Sequence, residues 1–377
     1  MDAALYHPDF GYYARSVQRS GRAGDFFTSV DVGPLFGELL AIQIAEMAAV
    51  ISRERPSGRA TAFDLVEVGA GNGRLSADIL HALKRNYPET YRTTRLHLIE
   101  SSDAARATHH HMLDECADRL VSSSGELPGS FEGVLIANEL LDAMPVHQVV
   151  MRDEGLREIY VDSRGDALTL REGPLSTPRL EEYFSELGTT LESGWRAEVS
   201  LAAVDWMHEA ARKLKHGFIV LIDYGHDASQ LYSVTHSTGT LTSFADHRAT
   251  GPESPVTPWL HNPGQQDLTA HVDFTSVRRA AESEGCTTLG FLDQMYFLLA
   301  LVSGPQSAGD GLPPSRDLLR GTSQGVAGLE KLSIKERLAL KTLVMPGGLG
   351  TTMKVMILGK GVGAPALAGL SSRSRVT

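Results

Sequence analysis

The chain has 377 residues, of which 42% are hydrophobic and 21% are charged, as in globular proteins with a sizeable core. Its net charge of −11 argues against a nucleic acid as the main partner, because phosphate binding needs a basic face. Its two cysteines are isolated and cannot form a cysteine-based metal cluster. We find no apolar run long enough to span a membrane and no signal peptide at the start. We therefore expect a cytoplasmic protein without a membrane partner.

Residues 1–60 precede the first predicted core strand and are expected to form an N-terminal extension. Residues 6–13 (YHPDFGYY) are aromatic and turn-rich, and residues 35–50 have the spacing of an amphipathic helix. The charged residues 52–60 are typical of an exposed loop. We expect the aromatic stretch to cover a cofactor site; a simple cap on the core is the alternative.

Residues 63–75 (FDLVEVGAGNGRL) combine a short apolar run, three alternate glycines and the start of a helical pattern. This order predicts a strand, a tight turn and a helix, the first unit of a doubly wound α/β nucleotide-binding fold. A dinucleotide site needs a third glycine where this chain has Arg74, which argues against NAD. The pattern is instead that of S-adenosylmethionine (SAM) methyltransferases, because a turn without side chains and a helix N-terminus suit the methionine tail. Its residues are Glu67, Gly69, Gly71 and Gly73. A tight turn without any ligand is the alternative.

Glu100 follows the second predicted core strand, at residues 95–99. A carboxylate at that strand end can accept hydrogen bonds from both ribose hydroxyls of a bound nucleoside, so we place it in the cofactor site. Capping of the next helix is the alternative. The three histidines at 109–111 lie on that helix, where consecutive side chains point in different directions. They cannot chelate one ion together, and we expect them on a solvated face.

Residues 138–147 (NELLDAMPVH) follow the fourth predicted strand, at residues 131–137. In open α/β sheets, ligands bind beyond the carboxyl ends of the strands, where the strand order reverses. We therefore expect Asn138, Glu139 and Asp142 to face the transferable methyl group as the catalytic residues. An amide and two carboxylates in one turn suggest that they hold a cation or a polar donor. Helix capping by Asn138 and Asp142 is the alternative.

The rest of the sequence predicts a fifth core strand at residues 217–222, a Gly/Ser/Pro-rich loop at 303–328 and a late hairpin that ends in an antiparallel strand. We expect five segments in all. They are an N-terminal extension (1–60), a SAM-binding Rossmann-like core (61–150), an inserted hairpin with helices (151–215), the rest of the sheet with acceptor-side loops (216–360) and a disordered tail (361–377).

Residues 267–274 carry more aspartate and histidine than a plain linker needs. Asp267, His271 and Asp273 are a conceivable ligand set for a metal ion. No cysteine and no second nearby histidine completes that set in the sequence. We therefore predict no metal.

Together these stretches resemble the MidA-like family of SAM-dependent methyltransferases, which includes a mitochondrial complex I assembly factor. The matching pieces run in the family's order from residue 4 to about residue 360. They include ALYHPDFGYY, GDFFTS, LVEVGAGNGRLSADIL, LIESS, ANELLDAMPVHQ, VLIDYG, DLTAHVDF and PGGLGTTMKV. Ala70 stands where the family's glycine turn usually has proline.

The resemblance implies a class I, SAM-dependent methyltransferase fold. This is a Rossmann-like α/β fold with a seven-stranded, mostly parallel sheet, an antiparallel last strand, an N-terminal extension and inserted β and helical elements. It implies SAM as the cofactor, held by the three turn glycines and, at its ribose, by Glu100. Asn138, Glu139 and Asp142 would border the methyl acceptor.

The main hypothesis is methyl transfer from SAM to an arginine nitrogen of a protein, as the resemblance to the mitochondrial members implies. Glu139 and Asp142 would then pin the guanidinium and leave its lone pair on the attacking nitrogen. There are two alternatives. One is a small-molecule N- or O-methyltransferase on the same fold, and the other is a SAM-binding assembly factor that acts mainly by binding a partner protein.

Overall fold

A computed structural model describes residues 1–15, 28–53, 62–165, 167–245, 248–254, 257–303 and 332–371. Almost all of the predicted loops at 52–60 and 303–328 lie outside the described residues, as does the GDFF part of the family motif. Residues 372–377 of the predicted tail also lie outside them.

The described strands and helices alternate along most of the chain. The strands are β1 (Phe63–Val68), β2 (Thr94–Ile99), β3 (Leu120–Ser124), β4 (Phe131–Asn138), β5 (His147–Arg152), β6 (Gly155–Arg164), β7 (Ala167–Gly173), β8 (Arg196–Val199), β9 (Leu214–His226), β10 (Thr242–Ala245), β11 (Arg248–Thr250), β12 (Asp267–Thr269), β13 (Val272–Asp273), β14 (Thr287–Asp293) and β15 (Met353–Lys360). The helices are α1 (Asp2–Tyr6), α2 (Tyr12–Arg15), α3 (Leu35–Arg53), α4 (Arg74–Asn86), α5 (Pro88–Thr93), α6 (Asp103–Arg106), α7 (His109–Leu113), α8 (Arg179–Leu187), α9 (Leu201–Lys213), α10 (Ala228–Leu231), α11 (Phe274–Ser283), α12 (Gln294–Ser303), α13 (Ile334–Val344) and α14 (Leu349–Thr352).

Seven of the described strands follow one another across a central sheet in the order β3-β2-β1-β4-β9-β15-β14. β1 pairs in parallel with β2 and β4, and β4 pairs in parallel with β9, whereas β14 and β15 are antiparallel. β1 is buried along its whole length, as expected for a parallel strand with both faces covered. The predicted α/β fold, with a mostly parallel sheet and a late antiparallel hairpin, is confirmed.

The chain divides into two compact units. The sheet unit, as we call it, comprises Thr28–Asn138, Lys213–Ile222 and Cys286–Thr377. The accessory unit comprises Met1–Phe27, Glu139–Arg212 and Asp223–Gly285. The division differs from the predicted segments, because residues 151–212 of the predicted insert share one compact unit with residues 139–150 and 223–285.

The accessory unit contains a four-stranded antiparallel sheet in the order β7-β6-β5-β8 and a three-stranded sheet in the order β11-β10-β12. The sequence predicted a hairpin in the first of these; the structure adds β8, which pairs with β5. Val149 and Val199 of this sheet pack against Leu180 and Phe184 of α8. This apolar contact explains why α8 is strongly amphipathic.

The N-terminal aromatic stretch packs inside the accessory unit. Leu5 and Tyr12 are buried in one cluster with Leu241, Trp259 and Leu268. The rings of Tyr6 and Tyr13 stack with centroids 5.4 Å apart. These contacts explain why a turn-rich segment carries so many aromatic residues.

The predicted disorder after residue 360 is wrong for the described residues 361–371. Val362 and Leu367 of this segment are buried. The backbone N–H of Ala368 donates to Glu46 at 2.8 Å, and that of Gly369 donates to Gln43 at 2.9 Å. Polar groups on α3 therefore satisfy the backbone of a segment whose composition alone suggests a tail.

Helix α3 is long and apolar enough, by length and composition, to cross a membrane, so the statement that no segment reaches that length does not hold. In the structure, however, 67% of its apolar stretch is buried. Leu35, Leu39 and Met47 are among its fully or almost fully covered side chains. The apolar composition of α3 is that of a helix in a protein core.

A side chain at Gly133 of β4 would collide with the neighbouring strand β1, so this position provides a stability prediction. A Cβ added at Gly133 would overlap the backbone oxygen of Asp64, and its φ of +154° lies where L-residues are strained. We expect Gly133→Ala to lower the free energy of unfolding by about 2 kcal/mol or more, from overpacking of roughly 1–3 kcal/mol plus backbone strain. Urea denaturation followed by circular dichroism measures the change.

Gly129→Ala is the matched control. Gly129 is exposed, and an added Cβ there would meet no atom within 4 Å. Both substitutions restrict the unfolded chain equally, so the difference between them isolates the folded-state contact. Equal midpoints for the two variants would contradict the role given to Gly133.

Candidate functional site

The glycine turn follows β1 and opens α4, as the sequence predicts. Gly69, Gly71 and Gly73 have φ values of +72°, +53° and +87°, which favour glycine over any other residue. The N–H groups of Gly69 and Ala70 donate to the carbonyl of Ile99 at 2.9 and 3.1 Å. A Cβ built on Gly71 would meet no protein atom within 4 Å. The turn therefore presents bare backbone with open space beside it, which fits a closely approaching ligand.

Glu100 lies directly against this turn. One carboxylate oxygen accepts a hydrogen bond from the Gly71 N–H at 2.9 Å, and the other accepts from the Ser102 N–H at 2.8 Å. Ser102, rather than Glu100, caps α6 by accepting a hydrogen bond from the Ala105 N–H. The carboxylate is thus fixed after the end of β2, beside the glycine turn, where it can accept hydrogen bonds from the hydroxyl groups of a nucleoside.

Glu67 supports the turn from within the core. Its side chain is only 5% exposed and accepts hydrogen bonds from both the N–H and the hydroxyl of Ser76. Burial raises the pKa of Glu67 to about 7, although the Ser76 hydrogen bonds oppose that rise. Glu67 therefore ties the end of β1 to the first turn of α4, and it acts on a ligand through the position of the turn.

His109 is a residue of this site that the sequence analysis missed. The expectation of a solvated face holds for His110 and His111, which are exposed, but His109 is fully buried. Its Nε2 lies 2.8 Å from the Gly71 carbonyl and its Nδ1 lies 2.9 Å from the Ser123 hydroxyl. Since a carbonyl only accepts, Nε2 carries the proton.

Burial lowers the pKa of His109, which favours this neutral tautomer. A neutral His109 holds the carbonyl of Gly71, while Glu100 binds the N–H of the same residue. Side chains therefore fix the backbone on both sides of the Gly71 Cα, at its N–H and at its carbonyl. A histidine on the helix after β2 gave no sequence signal of this role, because the contact depends on tertiary packing.

The residues after β4 belong to the accessory unit and form turns. Asn138 is the last residue of β4, and no helix begins within the described residues 139–146, so Asn138 and Asp142 cap no helix there. Glu139 has a φ of +51°, an uncommon backbone conformation for a non-glycine residue. Such strained positions concentrate at functional sites.

A single carboxylate oxygen organises this loop. Asp223 Oδ2 accepts hydrogen bonds from the N–H groups of Leu140, Leu141 and Asp142 at 3.1, 2.7 and 3.4 Å. Asp223 lies within β9, directly after the strand predicted at residues 217–222, where the sequence indicates only the end of a strand (DYG). A carboxylate at the end of the neighbouring strand was the available signal for this residue, and the sequence analysis did not use it.

Asp142 lies among further carboxylates. It is 5% exposed, and burial followed by the charges of Asp223, Glu139 and Asp267 raises its pKa well above the usual value. Burial also raises the pKa of Asp223, against the hydrogen bonds from Leu141 and Tyr224. We call Glu139, Asp142, Asp223 and Asp267 the carboxylate cluster. Acidic groups whose charges disfavour the ionised form of Asp142 in this way favour the binding of a cation.

Two tyrosines from the N-terminal stretch contact the same region. The Tyr13 hydroxyl donates to Asp267 at 3.0 Å, and the Tyr6 hydroxyl donates to the carbonyl of Ala143 at 2.9 Å. Burial, followed by the charge of Asp267, raises the pKa of Tyr13 well above the usual value, so its hydroxyl remains a donor. The aromatic stretch thus belongs to the wall of the carboxylate cluster within the accessory unit.

The conceivable metal set from the sequence does not come together. Asp267 accepts the Tyr13 hydroxyl, whereas Asp273 caps α11 through the N–H groups of Thr275 and Ser276 at 2.8 and 3.3 Å. Asp273 also accepts the Tyr183 hydroxyl at 2.7 Å. Each aspartate therefore has a separate structural role, and His271 lies elsewhere, beside two other histidines.

Comparison with known proteins finds relatives over most of the chain. A family model of S-adenosyl-L-methionine-dependent methyltransferases matches residues 39–292. The rat (Rattus norvegicus) "Protein arginine methyltransferase NDUFAF7, mitochondrial" is 31% identical over 331 residues, which cover 79% of this chain and 68% of the rat protein. The human (Homo sapiens) protein of the same name is 30% identical over 332 residues, with the same two coverages of 79% and 68%.

A solved structure is similar over nearly the whole chain. A protein from Burkholderia thailandensis, crystallised with S-adenosyl-homocysteine, is 26% identical with a TM-score of 0.79. The match covers 99% of this chain and 89% of that one. S-adenosyl-homocysteine is what remains of SAM after its methyl group has been transferred.

The expectation of a cytoplasmic protein is contradicted by these relatives, because the rat, mouse, human and fly proteins are all named as mitochondrial. That expectation rested on the lack of a leader in the first residues, which was too weak a basis for it.

The glycine turn, the order of the central sheet and the matches over most of the chain agree on one class of enzyme. This chain belongs to the MidA-like family of SAM-dependent methyltransferases, and SAM is its cofactor.

Proposed function

We propose that this enzyme transfers the methyl group of SAM to a guanidinium nitrogen of an arginine in a protein. The observation that carries the proposal is the carboxylate cluster, in which Asp142 is surrounded by Glu139, Asp223 and Asp267. The names of the rat and human relatives, both protein arginine methyltransferases, support the same acceptor.

The charge of the cluster favours arginine over a neutral acceptor. A buried carboxyl among like charges has a raised pKa because its ionised form is disfavoured. A guanidinium placed among these groups reverses that effect and favours ionised Asp142. The planar guanidinium has five N–H donors in fixed directions and can bind two carboxylates at once. The ammonium group of a lysine has three donors that rotate freely, so it is oriented less strictly between them.

Glu139 and Asp142 are the residues proposed to hold the guanidinium, with Asn138 at the end of β4 beside them in sequence. Asp223 is a positioning residue, because it binds the backbone of the loop that carries both carboxylates. Its three accepted N–H groups fix that loop before any substrate arrives. Such preorganisation is a large part of catalysis when the reaction needs mainly alignment.

The cofactor side is proposed to use the backbone of Gly69, Gly71 and Gly73 against the methionine tail, with Glu100 accepting the ribose hydroxyls. The open space beside Gly71 and the fixed carboxylate of Glu100 fit that group. Glu67 holds the turn from the core side, as its bonds to Ser76 indicate.

The proposed reaction is a displacement in which SAM, when bound, supplies an electrophilic methyl group on a sulfonium. The lone pair of the guanidinium nitrogen forms the new N–C bond, and the electrons of the broken S–C bond stay on sulfur. The nitrogen then loses one proton. An acidic side chain of the cluster with a raised pKa is suited to take that proton and pass it to water.

Glu100→Gln tests the cofactor side. The amide keeps the shape of the side chain but removes its charge and half of its acceptor capacity. We expect SAM to bind about tenfold more weakly or worse, because hydrogen bonds to charged groups contribute roughly 1.5–3 kcal/mol. Isothermal titration calorimetry with SAM measures this. Glu132→Gln, an exposed change at the opposite end of the sheet strands, should bind SAM normally; equal affinities for the two variants would contradict the assignment of Glu100.

Glu139→Gln tests the acceptor side. We expect the rate of label transfer from methyl-labelled SAM to proteins of a cell lysate to fall at least about 100-fold, as when one preorganised charge is lost from an active site. SAM affinity should stay within about twofold, since the changed group contacts the acceptor only. Glu154→Gln, an exposed change in the β5–β6 turn, is the control. A normal rate of methyl transfer by the Glu139 variant would rule out the proposal that Glu139 and Asp142 hold the guanidinium.

A further inference from the structure

Three histidines of the accessory unit, outside the residues used above, converge on one point. His226 is the last residue of β9, His236 ends a short 3₁₀ turn (Val234–His236), and His271 directly precedes β13. One ring nitrogen from each lies within 4.8 Å of the other two. All three side chains are partly exposed, so an ion could reach them from solvent.

The rings are arranged to present their edges to one another. The ring centroids are 4.9 Å apart for His226 and His236, 5.4 Å for His226 and His271, and 5.8 Å for His236 and His271. The corresponding interplanar angles are 42°, 45° and 70°, so no pair is stacked in parallel. Rings that bind one ion through their nitrogens must tilt toward it in this way.

The backbone holds these three positions together. β13 pairs in parallel with the end of β9, with Val272 opposite Gly225 and Asp273 opposite His226. A Cβ at Gly225 would overlap the backbone oxygen of Val272, so this approach is close. The N–H of His271 donates to the Thr240 hydroxyl at 3.1 Å. Two of the three histidines are therefore fixed by a strand pair.

Gln230 of α10 contacts the rings of His226 and His236. Its side-chain oxygen lies 3.4 Å from Nδ1 of His226, and its backbone oxygen lies 3.0 Å from Nδ1 of His236. An Nδ1 that donates to an oxygen leaves Nε2 as the atom for a metal, which is the usual outer arrangement around metal-binding histidines. In both rings this contact favours the tautomer with the proton on Nδ1 and the lone pair on Nε2.

We propose that His226, His236 and His271 bind one divalent transition-metal ion of the zinc class. Imidazole suits zinc, and three histidines leave a fourth position for water or another ligand. With Zn–N bonds of about 2.0–2.1 Å, the ligand nitrogens of a tetrahedral site lie about 3.3 Å apart. The nitrogens here lie within 4.8 Å of one another, so they need to approach by up to about 1.5 Å. Half-buried rings can make this movement by side-chain rotation.

The proposal departs from the expectation of no metal that was drawn from the sequence. That expectation sought partners close to His271 in sequence, whereas the fold brings His226 and His236 to it from the end of β9 and the following 3₁₀ turn. The ion would join three separate segments of the accessory unit. Because an ion that binds only the folded state stabilises it, zinc should raise the unfolding temperature.

The test is calorimetric titration of Zn²⁺ into the full chain, prepared without a polyhistidine tag and stripped with a chelator. We expect one ion per chain and a higher melting temperature with zinc than with chelator. His236→Gln and His271→Gln should each weaken binding at least about tenfold, which is the scale for losing even an outer partner of a metal site. His261→Gln, an exposed histidine of the same unit, should leave binding unchanged.

Cobalt provides a measurement that does not depend on a variant folding. The stripped wild-type chain with one equivalent of Co²⁺ should show the intense visible absorption of a four-coordinate nitrogen site, and zinc should displace it. No saturable zinc binding by the wild-type chain, or binding that His236→Gln and His261→Gln leave equally intact, would overturn the proposal. A cobalt spectrum no different from that of the free aqueous ion would also overturn it.

Discussion

The loop that carries the proposed acceptor residues depends on one buried carboxylate that binds its backbone. Asp223 accepts the N–H groups of three consecutive residues and thereby fixes the loop that carries Glu139 and Asp142. Without such an acceptor, three backbone donors of a non-helical turn would need other partners. Together with burial, the charge of Asp223 also raises the pKa of Asp142. One side chain therefore determines both the conformation of the loop and part of the electrostatic environment of Asp142.

The cofactor side follows a similar rule in the sheet unit. The backbone of Gly71 is fixed at its N–H by Glu100 and at its carbonyl by a neutral His109. Glu67 fixes the start of α4 through Ser76. In both units, therefore, charged or titratable side chains hold the backbone of a turn in an uncommon conformation. The proposed ligand contacts come from the backbone of the glycine turn and from the carboxylates of Glu100, Glu139 and Asp142.

The sequence predicted well those features that depend on local pattern. A buried apolar run predicted β1, alternate glycines predicted the turn with positive φ, and polar residues after strands predicted Glu100 and Glu139 at loop positions. Features that depend on distant contacts were missed. The ring of His109 contacts the Ser123 hydroxyl and the Gly71 carbonyl, and the Tyr13 hydroxyl donates to Asp267, which is 254 residues away in sequence. The segment after β15 is ordered by polar groups on α3, and the histidine cluster needs the pairing of β13 with β9.

The identity of the methylated atom tests the account most directly. The full-length enzyme, incubated with methyl-labelled SAM and a lysate of its own source, should transfer label to protein. Complete acid hydrolysis of that protein should then release the label as methylated arginine, and the yield should collapse with Glu139→Gln. Label found in methyl-lysine, in carboxyl esters or only in small molecules would contradict the proposal that the carboxylate cluster receives a guanidinium.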